Sequence, residues 1–205
     1  MGVPVLILGE SGSGKSTSLR NFDPEEVAIF NVAGKRLPFK KKMPYVIDTS
    51  SYSTIEKKLK EAKFKKYVID DSQYLLSFEL FEKAKQTGYG KFTDIAVNFQ
   101  NLIATIVNDT PADCIVYILH HVEETDGGRI KIKTVGKMLD NQLTLEGLFT
   151  IVLMTKYSNK EYKFVTQTDG TTPCKSPMDM FELEIPNDLK MVDETIRKYY
   201  EMEEK

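Results

Sequence analysis

A chain of 205 residues with a formal net charge of -2 and two cysteines is long enough to bury one sizeable core, and no Pro/Gly/Ser-rich linker divides it. A single domain over 1–205 is therefore expected, with a core over about 1–168 and a C-terminal loop and helix over about 169–205. The near-neutral balance excludes a protein held on nucleic acid by global charge, so any such site must be local. The longest apolar runs, Ile115 to Leu119 and Phe149 to Met154, are too short to span a bilayer, and no charged-then-apolar leader precedes the first strand. A cytoplasmic protein without a membrane partner is expected. Cys114 and Cys174 stand far apart, outside metal or C-x-x-C spacing, and read as reduced, non-catalytic thiols.

In chain order, Val3 to Leu8 reads as a buried strand. Gly9-Glu10-Ser11-Gly12-Ser13-Gly14-Lys15-Ser16 follows and fits G-x-x-x-x-G-K-[ST], and Thr17 to Phe22 reads as a helix start. Asp23-Pro24 turns the chain into a second apolar strand, Val27 to Val32, and residues 34 to 45 look irregular. Thr54 to Lys66 places Ile55, Leu59 and Ala62 on one helical face among lysines. Tyr67 to Ile69 is a strand ending in Asp70-Asp71. Thr93 to Asn108 repeats apolar residues at three- and four-residue spacing, and Thr110-Pro111 marks its exit. Ile115 to Leu119 is a buried strand ending in His120-His121, with Glu123 and Glu124 beyond. Phe149 to Tyr157 and Glu161 to Thr168 flank a turn, as in an antiparallel hairpin at the sheet edge. Leu189 to Tyr200 carries a last helix. This alternation predicts an α/β fold of three layers with a mostly parallel sheet, an antiparallel edge hairpin and a C-terminal helix, and the motif at 9–16 makes a phosphate-loop NTPase the expected form of it.

The chemistry concentrates at the ends of the predicted strands. In the motif, Gly9, Glu10, Ser11, Gly12, Ser13, Gly14 and Thr17 would cradle phosphate through backbone N–H groups. Lys15 would reach the β- and γ-phosphates of ATP, and Ser16 would ligate Mg2+. Asp70 is the candidate to hold the same ion, and Asp71 the candidate to orient an attacking water, although paired acids also end strands as solvated turns. Because alternate strand residues face opposite sides, one of His120 and His121 is expected to face the γ-phosphate, and the sequence leaves open which. Lys137 could reach a neighbouring subunit's phosphates in an oligomer, or be an ordinary surface lysine. The stretches 83 to 92 and 126 to 137 read as loops that mix basic residues with aromatics. Tyr89 and Phe92 could stack bases of single-stranded DNA while Lys131 and Lys133 track its phosphates.

Four segments together resemble the RecA-like nucleotide-binding ATPases of tailed phages, the group associated with single-strand annealing and recombination. They are Gly9 to Thr17, Tyr67 to Leu75 with Ile-Asp-Asp-Ser-Gln-Tyr-Leu, Leu119 to Glu124, and Ile132 to Leu153 with Thr-Val-Gly-Lys-Met-Leu-Asp. The resemblance spans most of residues 1 to 165. It implies a RecA-type core, Mg2+-dependent ATP hydrolysis, single-stranded DNA as partner, self-assembly into a homo-oligomer, and the cytoplasm of a phage-infected bacterium. RecA itself places a catalytic glutamate just after its second strand. Here that region reads Asn31-Val32-Ala33-Gly34, which leaves Asp71 or Glu123 to activate water. Two other functions fit the same loop. One is a nucleotide kinase, disfavoured by the scatter of Arg20, Arg36, Arg129 and Arg197. The other is a nucleotide-gated interaction module with slow or no hydrolysis. Guanine specificity is disfavoured because Thr155-Lys156-Tyr157-Ser158 lacks the aspartate of a guanine-reading motif.

Overall fold

The computed structural model describes residues 1–136 and 144–202. Among the described residues nine strands form one sheet: β1 (Val3–Gly9), β2 (Val27–Asn31), β3 (Val46–Asp48), β4 (Lys66–Asp70), β5 (Ile115–Glu124), β6 (Ile130–Ile132), β7 (Ile151–Ser158), β8 (Glu161–Val165) and β9 (Glu184–Pro186). Their order is β3-β2-β4-β5-β1-β7-β8-β9, with β6 paired to β5. Along that order the strands from β3 to β7 run parallel, β8 and β9 each join antiparallel to the strand before, and β6 pairs antiparallel with β5. A mostly parallel α/β sheet, as expected from the alternation, is therefore the architecture.

The apolar run of β1 explains its central place. Leu6 and Leu8 enter one core, and Val5 and Ile7 enter the other on the opposite face. Such a strand is stable only when covered on both sides. Helices α1 (Tyr52–Glu61), α2 (Gln73–Glu82) and α3 (Gly90–Asp109) cover the first face. A short 3-10 turn, Ser16–Asn21, and the C-terminal helix α4 (Leu189–Tyr199) cover the second. A buried polar cluster ties α4 to the sheet: Arg197 donates to Asp193 at 2.7 Å, to the Asp113 carbonyl at 2.9 Å and to the Lys65 carbonyl at 3.0 Å. The Tyr117 hydroxyl, in β5, donates to Asp193 at 2.9 Å. Among the described residues no helix is long and apolar enough to cross a membrane.

Several boundaries differ from the sequence reading. α1 stops at Glu61, because Ala62 adopts a left-handed conformation (φ 49°) that ends the helix and frees Lys66 to begin β4. α2 is an element the periodicity did not reveal: Tyr74, Leu75, Leu76, Phe78, Leu80 and Phe81 are apolar around most of the helix, so no stripe stands out. α3 begins three residues earlier than expected and takes in Lys91 and Phe92, the end of the stretch 83 to 92 expected to be a loop. The β7–β8 hairpin turns on Asn159 and Lys160, both left-handed at φ 53° and 65°, the geometry of a two-residue hairpin turn. It is not the sheet edge, since β9 pairs outside β8.

Candidate nucleotide-binding site

The loop 9–16 leaves the C-terminal end of β1 between β5 and β7. Gly12 and Gly14 take φ +76° and +98°, where a side chain is strained, and a Cβ on Gly14 would lie 2.8 Å from the Tyr162 ring. The loop is braced from β7: the Ser13 and Thr155 hydroxyls are 2.6 Å apart, and Thr155 donates to the Leu8 carbonyl at 3.2 Å. Lys15 is buried and folds back on its own loop, donating to the carbonyls of Gly9 and Glu10, both at 2.8 Å. Burial is the strongest influence on this ammonium and lowers its pKa to about 8, against the raising pull of Asp71 and Asp70.

Across the cleft, the Ser16 hydroxyl donates to Asp70 at 2.9 Å. Asp70 ends β4 and is almost wholly buried; desolvation first, then the neighbouring Asp71 charge, pushes its pKa up to about 6. A buried carboxylate facing a hydroxyl suits a cation that satisfies both oxygens. Among the described residues no three His, Cys, Asp or Glu side chains gather around a metal position. An ion held by Ser16 and Asp70 would complete its shell with phosphate and water oxygens, the ligands Mg2+ takes at nucleotide sites.

Asp71 is left-handed (φ 58°), which turns its side chain from β4 toward β5. It accepts from His121 Nε2 at 3.2 Å and from the Lys35 ammonium at 2.9 Å. Desolvation raises its pKa, but the bonds from His121 and Lys35 outweigh that and hold it at about 2. The two histidines are now distinguished. His121 lines the cleft beside Lys15, Ser16, Asp70 and Asp71, a space of about 220 Å³. His120 is fully buried under it, with Nδ1 at 2.8 Å from the Ser72 hydroxyl and Nε2 donating to the Lys133 carbonyl at 2.8 Å. The Ser72 hydroxyl also reaches the Leu119 carbonyl at 2.9 Å, and that carbonyl accepts the Ser72 N–H at 2.9 Å as well, so Ser72 ties His120 to the strand. Burial lowers the His120 pKa to about 3, so this imidazole is neutral and braces the strand.

Three residues that the motif reading passed over also line the cleft: Lys35, Arg36 and Pro38. Their position was legible only in part, because they follow β2, and only the sheet order shows that β2 lies against β4. Glu123, the alternative water-activating acid, is not brought to the cleft. It pairs across the β5–β6 ribbon with Lys131 at 2.8 Å.

No protein-family model matches the chain, and no curated protein matches it. What can be said of the site therefore rests on its residues.

Of the candidate DNA residues, Phe92 is the one seen to approach the segment that follows this ribbon. Tyr89 caps α3 and is 70% exposed, and Phe92 lies in the first turn with its ring 3.7 Å from where a Cβ on Gly136 would stand. The two stretches named from sequence are thus neighbours, although each is partly regular structure. Lys133 is exposed, and its backbone is tied to the site: its N–H donates to the His121 carbonyl at 2.9 Å. Lys137 lies outside the described residues.

Proposed function

We propose that the chain is a Mg2+-dependent ATPase with a RecA-like core that acts with single-stranded DNA. The observation that carries this reading is the convergence of Lys15, Ser16 and Asp70 on one cleft at the strand ends, with Asp71 and His121 at its mouth. Lys15 would exchange its two loop carbonyls for β- and γ-phosphate oxygens, a stronger charge-assisted pairing. Ser16 and Asp70 would hold Mg2+, which when bound neutralises phosphate charge. Asp71 would be the acid that orients water, since it lines the cleft while Glu123 pairs with Lys131. A kinase is less well supported, because only Arg36 among the arginines lines the cleft. Arg20 is bonded to the Asn187 carbonyl at 2.7 Å, and Arg197 is buried in the α4 cluster. The double engagement of Asp71, which makes it a weak base, is the observation that favours a slow, nucleotide-gated module as second reading.

Backbone contacts support a coupling to DNA. Lys133 is bonded to both His120 and His121, so a change at Asp71 and His121 reaches the ribbon directly. Single-strand binding is therefore expected to strengthen with a non-hydrolysable ATP analogue. Tyr89→Ala should weaken it by about 1–3 kcal/mol, the worth of one stacked base, without changing nucleotide affinity in the absence of DNA. Phe92→Ala should do the same, and replacing Lys131 and Lys133 should flatten the salt dependence. Fluorescence anisotropy with a labelled oligonucleotide over a salt series measures all three. Absence of single-strand binding with the analogue at low salt would remove DNA as partner and leave the gated module.

A further inference from the structure

We propose that Lys35 is the residue by which this site distinguishes a nucleoside triphosphate from a diphosphate, its ammonium moving from Asp71 to the terminal phosphate. The inference rests on the nucleotide reading above and adds the element that senses the γ-phosphate.

Lys35 is held where such a group is needed. β2 ends at Asn31, and the chain turns through Gly34 at φ +64°. The Asn31 amide donates to the Lys35 carbonyl at 2.8 Å and accepts the Lys35 N–H at 3.2 Å, while Asp48 on β3 accepts from the same amide at 2.6 Å. Two neighbouring strands thus fix the Lys35 backbone at the cleft, beside Arg36 and opposite Lys15. The side chain itself is held lightly. It is 60% exposed, bridges to Asp71 at 2.9 Å and lies over the Tyr74 ring at 4.9 Å.

The lysine end of this pair is solvent-exposed, which limits what the pair contributes and lets a better anion displace it. A terminal phosphate carries more charge and more acceptor oxygens than one carboxylate oxygen and would compete well for the ammonium. A diphosphate held by Lys15 offers no group at that position, and Lys35 then stays on Asp71. When Lys35 leaves, Asp71 keeps, among the described residues, its bond from His121, whose carbonyl holds Lys133. The nucleotide state is thereby read out at the β5–β6 ribbon.

Isothermal titration of the full chain with Mg2+ and either ADP or a non-hydrolysable ATP analogue tests this. Lys35→Ala is expected to lower analogue affinity roughly tenfold or more and leave ADP affinity unchanged. Lys35→Arg should restore part of the preference, and Lys57→Ala, on the exposed face of α1, should behave as wild type. Unchanged ADP affinity also shows that the variant's site is folded. Equal losses for both ligands, or an unaltered preference in Lys35→Ala, would overturn the role of Lys35 while leaving the nucleotide site standing. Wild-type protein that binds neither ligand would overturn the nucleotide reading itself, and this inference with it.

Discussion

Lys15→Ala is expected to abolish productive ATP binding while leaving the fold intact. The side chain is the buried cation of the glycine-rich loop, and its two bonds run to loop carbonyls rather than to the core. Its removal costs the phosphates a desolvated charge partner, about 3 kcal/mol or more, a loss on the order of a hundredfold in affinity. The empty protein loses a buried ammonium whose pKa is already lowered to about 8, so the electrostatic change favours the folded variant and opposes the lost side-chain packing. Thermal unfolding separates the two effects. At a concentration about a hundred times the wild-type Kd, Mg2+-ATP should raise the wild-type Tm by roughly 5–10 °C and that of a hundredfold weaker variant by only about 1–2 °C. Equal ligand shifts in both proteins would remove Lys15 from phosphate binding.

Asp70→Asn is expected to spare much of the nucleotide affinity and to cut turnover on the order of a hundredfold or more, because the ion loses its anionic protein ligand. Asparagine keeps the acceptor for Ser16, so the cleft retains its shape. The same variant should alter stability in the opposite direction. With the folded pKa raised to about 6, the native state binds more protons than the unfolded chain between about 4 and 6. Wild-type stability therefore falls as pH rises through that window, with Asp71 repelling and Ser16 and Lys15 attracting the charge that forms. Asp70→Asn lacks this loss. It should melt above wild type at pH 7 and near it at pH 4, measured without metal or nucleotide. Wild-type turnover across a Mg2+ titration would take the metal role from Asp70.

What could be read from sequence alone was the chemistry carried by contiguous residues. The loop 9–16 and the acids after Tyr67 to Ile69 lie on strand ends, where the apolar runs put them. Strand alternation showed that His120 and His121 must diverge, but not which side faces the loop, since that depends on the register pairing Gly9 with His121. Lys35 was hidden for a related reason: its relevance comes from β2 lying beside β4, a long-range fact with no local signature. β3, β6 and β9 have three residues each, too few for a period to show, and this is why 126 to 137 read as a loop and the hairpin as an edge. α2 escaped for the opposite reason, being apolar on too many sides.

The most direct test is steady-state phosphate release from ATP by the full chain, with and without Mg2+ and with and without single-stranded DNA. Release that requires Mg2+, rises severalfold when single-stranded DNA is added and disappears in Lys15→Ala is the expected result. ATP left intact under every condition, or turnover indifferent to Mg2+ and unchanged in Lys15→Ala, would contradict a DNA-coupled ATPase built on this cleft.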